Sequence, residues 1–354
     1  MAAARATFVL PGPANTLTGG YLYDAHLTRE LRARGWTIDV RALPGGFPAP
    51  SDHARIAAAQ LFAALPDGEL VLVDGLALGV LPEIPAVHAA RLRIVALVHH
   101  PLHLESGLSA VQAARLFASE RAALSRVAVV IVTGTGTARQ MLASGLVARE
   151  PVVIEPGVEA LPLRTQRDDP ATRLLCVATL TPRKNHVLLI RALAALRDLP
   201  WKLTCVGSLK MDAATTLAVR AAIAQADLGA RVHLVGEVEP VPLRDLRLQS
   251  DLAVQASAYE GYGMAVAEAL AQGLPVIATR TGASEMLVGD DAGLAVPPDD
   301  EDALREALRA LLSDPARREA CAAAARERAA RFPRWADAAE RCGALLEAIA
   351  ESPV

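Results

Sequence analysis

Short apolar runs separated by stretches of helical length recur along this chain. Residues 6–10, 36–43, 69–73, 93–98, 127–133 and 151–154 read as strands. Between them, residues 21–34, 51–65 and 109–124 place apolar side chains at helical spacing and read as helices. The runs are almost continuously apolar, as expected of strands covered on both faces in a parallel sheet. The pattern then restarts. Residues 172–178, 202–206, 231–235, 251–255 and 274–278 predict strands, and residues 187–196, 299–312, 315–331 and a last segment to about residue 351 predict helices. Between the two series, residues 161–170 hold Pro, Arg, Gln and Asp without periodicity and read as a linker. This alternation predicts an α/β protein of two halves with parallel sheets.

One stretch stands out, from Ser257 to Ile277. A strand runs into a turn containing Glu260, Gly261, Tyr262 and Gly263, and helical spacing begins at Met264. Gly273 and Pro275 stop the helix before the next strand. A helix start presents unpaired N–H groups and partial positive charge, which suits an anion such as a diphosphate. Glu260 precedes that start, and Glu268 follows eight residues later, about two turns along. An anion site flanked by carboxylates fits a ligand bearing both phosphate and hydroxyls. Each Glu taken alone is an ordinary solvated residue, so the argument rests on the whole string.

A length of 354 residues predicts two domains, and 52% hydrophobic with 21% charged residues predicts packed globular units. A formal charge of −3 argues against nucleic acid as a partner. Cys176, Cys205, Cys321 and Cys342 lack C-x-x-C spacing, so neither a disulfide framework nor a cysteine metal site is expected. The short N-terminal run enters a strand directly and does not read as a signal peptide; no apolar run reaches spanning length, and a cytoplasmic protein is expected.

Three loops carry further chemistry. Gly19-Gly20 opens a helix after the first strand; the pair lacks the G-x-G-x-x-G pattern, and a tight turn explains it as well as a ligand does. His99, His100, His103 and Glu105 follow a strand's carboxyl end, where open α/β sheets bind ligands. Zinc competes as an explanation, but the loop has neither helical H-x-x-x-H spacing nor nearby cysteines. Thr179-Leu-Thr-Pro-Arg-Lys-Asn-His186 puts Arg183 and Lys184 at a strand-to-helix turn, where a fork and a point charge can neutralise a diphosphate; an exposed loop pair is the bland alternative.

Glu260-Gly-Tyr-Gly-Met264, then Glu268-Ala-Leu-Ala-Gln-Gly-Leu-Pro-Val-Ile277, resembles the E-x7-E signature of retaining GT-B glycosyltransferases, family 4 (glycosyl transferases group 1). Gly282-Ala-Ser-Glu285 and Gly293-Leu-Ala-Val-Pro297 resemble the segments that follow it. Glu155-Pro-Gly-Val-Glu159 is similar to the segment closing the family's first domain. The resemblance is dense in the second half and rests on landmarks in the first.

It implies a GT-B fold, two Rossmann-like doubly wound parallel-sheet domains facing a cleft. Residues 1–160 would bind the acceptor, 161–332 the nucleotide sugar, and 333–354 would form a helix crossing back to the first domain. It implies transfer of a sugar from a UDP- or GDP-sugar to an acceptor hydroxyl, with no cofactor and no metal required. His99, Glu260, Lys184 and Arg183 would be catalytic. Gly19, Gly20, His100, Val238, Gly261, Tyr262, Gly263, Met264 and Glu268 would bind the donor. The chain departs from the family's G-R-L…K-G pattern: Thr179 stands at the Arg position and Asn185 at the Gly, and Arg183 is taken to supply the second charge. Small-molecule, glycan and lipid-linked acceptors stay open, as does peripheral membrane contact. So do two other readings: a nucleotide-sugar epimerase on the same fold, and a non-catalytic nucleotide-sugar-binding or partner subunit.

Overall fold

The computed structural model describes residues 4–164 and 171–352. The chain divides into two compact units, Met1–Gly157 with Pro333–Val354, and Val158–Phe332. In the first unit β1 (Arg5–Leu10), α1 (Gly19–Ala33), β2 (Thr37–Ala42), α2 (Asp52–Ala64), β3 (Leu70–Asp74), α3 (Gly75–Leu78) and α4 (Glu83–His88) come first. They are followed by β4 (Arg93–Val98), α5 (Ala110–Leu124), β5 (Val129–Val132), α6 (Thr135–Ala143) and β6 (Val152–Val153). The second unit begins with β7 (Thr172–Val177), α7 (His186–Ala194), β8 (Trp201–Val206), α8 (Ala213–Gln225), β9 (Val232–Gly236), α9 (Pro240–Leu248) and β10 (Leu252–Gln255). It continues with α10 (Met264–Ala271), β11 (Val276–Thr279), α11 (Ser284–Val288), β12 (Gly293–Val296), α12 (Glu301–Ser313) and α13 (Pro315–Ala329). The closing helix α14 (Trp335–Glu351) belongs to the first unit.

Each unit holds one six-stranded sheet, ordered β2-β1-β3-β4-β5-β6 and β12-β11-β10-β7-β8-β9, and the paired strands run parallel. The predicted pair of Rossmann-like, GT-B-type parallel sheets is therefore present. In the second sheet neighbouring residues of a strand enter opposite apolar clusters. Val254 and Ile277 pack with α7, α8 and α12, whereas Ala253, Val276 and Ala278 pack with α10, α11 and α13. Burial on both faces explains why these strands are apolar at every position. Cys176 and Cys205 lie in the first of those clusters as small buried side chains. In the first unit, alternate residues of β3 and β4 (Val71, Val73, Ile94, Ala96) pack toward α2, α4 and α5, and α14 packs on α1 and β3. Gly157 makes the return of α14 close: a Cβ there would stand 2.0 Å from Trp335 N.

Of the predicted linker, residues 165–170 lie outside the described residues. Arg164 before them is buried and tied to the second unit, its Nε donating to Gly273 O at 3.0 Å. Helices α3, α4, α8, α9 and α11 were not predicted. In α8 only Thr216, Val219 and Ile223 are buried, too sparse a stripe to stand out among alanines and threonines; Asp212 starts it by accepting from Thr215 N at 2.7 Å. Among the described residues no helix is long and apolar enough to cross a membrane.

In open parallel sheets, ligands bind beyond the carboxyl ends of the strands where the strand order reverses. The reversal falls between β1 and β3 in the first unit and between β7 and β10 in the second.

Candidate functional site

The loops leaving β7 and β10 are joined at the second unit's reversal point. After β7 the chain makes a 3-10 turn over Pro182–Lys184, and Asn185, in the left-handed region at φ 50°, redirects it into α7. After β10 it runs through Ser257 and Glu260 to Gly263, whose φ of +98° begins α10. Ala258 N donates to Arg183 O at 2.8 Å, and Arg183 Nη1 donates to Tyr259 O at 3.0 Å. The side chains join at Glu260. Its Oε1 accepts from Lys184 Nζ at 2.5 Å, Ser257 Oγ at 2.6 Å and Gln255 Nε2 at 3.2 Å, and its Oε2 stands 3.8 Å from Arg183 Nη1.

Glu260 is 7% exposed. Burial alone would push its carboxyl up, but Lys184 first and then Arg183 outweigh it and bring the carboxyl down to about 2, so Glu260 is ionised. Burial pulls the Lys184 ammonium down from its ordinary range, with Glu260 opposing the change. Gly282 passes over this loop, where a Cβ would stand 1.9 Å from Glu260 O, and its φ of +54° favours glycine as well.

Of the predicted donor-binding residues, Gly261, Gly263 and Met264 surround the start of α10. The Tyr262 ring instead packs in the apolar cluster with Val266, Ala267 and Leu287, which explains its hydrophobic character without a ligand. Glu268, in α10, pairs closely with Arg247 of α9; Arg247 is 5% exposed. Val238 lies in the turn after β9 and is half-buried.

In the first unit, His99 leaves β4 and turns its imidazole inward. Nε2 stands 2.9 Å from Asp24 Oδ1 and 3.9 Å from Asp74 Oδ2. Gly20 sits against the ring: a Cβ there would meet His99 Cδ2 at 3.0 Å, while the space beside Gly19 is open. Tyr23 packs edge-on to the ring at 5.2 Å between centroids and anchors its own hydroxyl on Ile154 O at 2.8 Å. Burial lowers the imidazole pKa, but Asp24 and then Asp74 more than reverse this, and the net direction is up. Burial and the neighbouring Asp24 push Asp74 to about 7. His100 Nε2 lies 3.8 Å from Glu105 Oε2, and His103 Nδ1 lies 3.9 Å from the buried Glu120. The histidines therefore face three different acidic settings.

Asp24, Asp74, Ser257, Gln255 and Arg247 were missed from the sequence. Asp24 carried a signal, because it falls among Tyr23, Leu27, Thr28 and Leu31 on the buried face of α1. Asp74 carried another, as the one acid ending the fully buried strand β3. Arg247 carried none, since it looks like any other arginine on a polar helix.

Residues 159–328 match the family model of the glycosyl transferases group 1. A D-inositol 3-phosphate glycosyltransferase of Corynebacterium urealyticum is 35% identical over 115 residues, 32% of this chain and 27% of that protein. A glycogen synthase of Mycobacterium tuberculosis is 35% identical over 95 residues, 27% of this chain and 23% of that protein. The chain thus spans about a quarter of the length of these relatives. In three dimensions, a sucrose-phosphate synthase from Thermosynechococcus elongatus superposes with a TM-score of 0.83 at 21% identity, covering 98% of this chain and 99% of that one. HepE of Anabaena, solved in complex with UDP-glucose, superposes with a TM-score of 0.77 at 17% identity, covering 97% and 99%. At these identities the likeness is one of fold.

Proposed function

We propose, for a chain whose residues 159–328 match the family model of the glycosyl transferases group 1, transfer of a sugar from a UDP- or GDP-linked donor to an acceptor hydroxyl with retention at the anomeric carbon. The observation that carries this reading is the joining of Lys184, Arg183 and Glu260 beside the start of α10, at the reversal of the second sheet. A nucleotide sugar needs positive charge at its diphosphate and acceptors for its hydroxyls, and this cluster offers both.

The reaction breaks the bond between the anomeric carbon and the diphosphate oxygen. The acceptor oxygen enters on the same face, and its proton passes to the departing phosphate oxygen. Negative charge grows on the diphosphate as the bond breaks. Lys184 has three N–H donors and uses one on Glu260, so it can serve the diphosphate without giving up that partner. Arg183, braced on Tyr259 O, adds a second charge, and the N–H groups after Gly263 add the helix's partial charge. Fixed cations of this kind need no reorganisation during the reaction, and this reading requires no metal at the diphosphate.

Glu260, held ionised, accepts from the donor sugar, and Glu268 accepts from the ribose hydroxyls. Gly261, Met264 and Val238 line the nucleotide. Gly19, Gly20, His99 and His100 are the first unit's share of the reaction. The acceptor is a small molecule, a glycan or a lipid-linked hydroxyl.

The test is a proton NMR time course with UDP- and GDP-sugars and a panel of acceptor alcohols. An α-linked product from an α-linked donor, formed more slowly by Lys184→Ala, supports the proposal. A β-linked product overturns retention. Release of a free epimerised sugar puts the epimerase reading in its place, and donor binding without turnover with any acceptor puts the non-catalytic one there.

A further inference from the structure

Asp24, Asp74 and His99 meet at the reversal of the first sheet, where α1 follows β1, Asp74 ends β3 and His99 leaves β4. Asp24 is 1% and Asp74 3% exposed, while the His99 side chain keeps 18% of its surface open. Each acid has one fixed contact. Asp24 Oδ1 stands 2.9 Å from His99 Nε2, and Asp74 Oδ1 accepts from Leu76 N at 2.6 Å.

The remaining oxygens leave a proton to be placed. Among the described residues no N–H or hydroxyl donor reaches the buried Asp24 Oδ2. The Asp74 carboxyl instead hydrogen-bonds the Asp24 carboxyl, and a bond between two carboxyl groups requires that one of them carry a proton. Burial and Asp24 push Asp74 to about 7, in keeping with Asp74 as the holder of that proton near neutrality. The pair then bears one negative charge. A neutral imidazole would leave that charge buried without a counter-charge, which is costly; an imidazolium cancels it. Burial pulls the ring toward its neutral form, but Asp24 and then Asp74 turn the balance toward the charged one. Tyr21 and Tyr23 are further titratable side chains against the cluster, and burial holds both phenols neutral, that of Tyr21 at about 12. With Nε2 on Asp24, the imidazolium keeps one more donor, Nδ1–H, which makes no hydrogen bond among the described residues.

We infer that Asp24 and Asp74 are positioning residues for His99: the pair shares one proton, holds the ring by Nε2 as an imidazolium, and leaves Nδ1–H to donate to a substrate oxygen. This builds on His99 taking part in the sugar transfer proposed above. Because the shared proton sits on Asp74, the two acids are not equivalent. Asp74→Asn puts an amide N–H where the proton was and preserves the balance of charge. Asp24→Asn removes the negative charge that the imidazolium faces.

The experiment reads the nitrogen NMR shifts of the His99 ring from pH 5 to pH 9 in the full chain, assigned by their loss in His99→Gln, beside Asp24→Asn and Asp74→Asn. Turnover is followed over the same range, and circular dichroism checks that the variants fold. The expected result is a His99 that holds both ring protons at pH 7 in the unmodified chain and in Asp74→Asn. In Asp24→Asn its midpoint should fall by about 1–2 pH units, the size of one charge-assisted hydrogen bond. Relative to the unmodified chain, turnover of Asp24→Asn should then drop roughly 10-fold or more at pH 8 and recover as pH falls through the new midpoint. Asp74→Asn should keep most of its turnover at pH 7. A purely structural loss would not recover in acid. A neutral His99 at pH 7 in the unmodified chain overturns the inference, as does an Asp74→Asn that makes the ring neutral there; these two outcomes decide if Asp24→Asn does not fold. A folded Asp24→Asn with an unmoved midpoint also overturns it, and a moved midpoint with unchanged turnover overturns donation from Nδ1. The shifts need no substrate, so a chain that transfers no sugar fails the proposed function while the shifts still judge the acid pair.

Discussion

Replacing Glu260 by Gln removes the charge around which the two loops at the reversal of the second sheet are joined. In the folded chain this carboxyl sits at about 2, against an ordinary 4.5 when unfolded. A displacement of about 2.5 in pKa corresponds to about 3 kcal/mol of stability. Because the folded value is the lower one, that contribution is complete above pH 4.5 and disappears as pH falls toward 2. The shape of Gln is close to that of Glu, and Ser257 and Gln255 can still hydrogen-bond it, so the comparison isolates charge more than packing. Urea unfolding of the two proteins, repeated from pH 7 to pH 2.5, should show the variant less stable by about 3 kcal/mol near neutrality, with the gap closing across pH 4.5 to 2.5. A gap that stays constant over this range would refute the reasoning, since it would mean that the carboxylate's charge is not what holds the loops. A gap that widens in acid would reverse the sign of the argument.

Lys184→Ala should slow turnover roughly 10- to 150-fold, the equivalent of one charge-assisted hydrogen bond at the leaving diphosphate, with a smaller change in KM for the donor; steady-state kinetics separate the two. Arg247→Ala leaves Glu268 without its close partner and should weaken binding of the nucleoside diphosphate more than it lowers kcat, with Arg247→Lys recovering part of the loss, as read by calorimetry and kinetics. Gly282→Ala forces a Cβ against Glu260 O in a backbone conformation that disfavours any side chain, and should lower the melting temperature by several degrees. Gly20→Val pushes on the His99 ring and should shift its imidazole resonances and lower turnover, as read by NMR and steady-state kinetics.

The architecture was legible because both sheets are buried on two faces, so that Leu70–Asp74 and Val276–Thr279 stand out as apolar blocks without alternation. The start of α10 was legible because the chain turns there at Gly263 with φ +98°, a conformation only a glycine enters readily. What Glu260 touches was not legible. Lys184 and Arg183 lie 76 residues or more away along the chain, and only the adjacency of β7 and β10 brings them together. Tyr262 read as part of a ligand-binding string, yet its ring fills the core under α10, as the residues around a helix start often must. The first unit's acid pair was hidden for a different reason. Asp24 and His99 are 75 residues apart, and an aspartate on a helix looks solvated until the packing of α1 on its sheet shows the face it occupies.

The central claim is that the loops joined at Lys184 and Glu260, with Glu268, bind a nucleotide sugar. Calorimetric titration of uridine, guanosine and adenosine, their diphosphates and their diphosphate sugars into the purified chain, into Lys184→Ala and into Glu268→Ala tests it most directly. The unmodified chain should bind the uridine or guanosine class saturably. Lys184→Ala should lose affinity for the diphosphate but little for the nucleoside, and Glu268→Ala should lose affinity for both the diphosphate and the nucleoside. Nucleotide binding of undiminished strength in both folded variants would place the donor elsewhere and contradict the account.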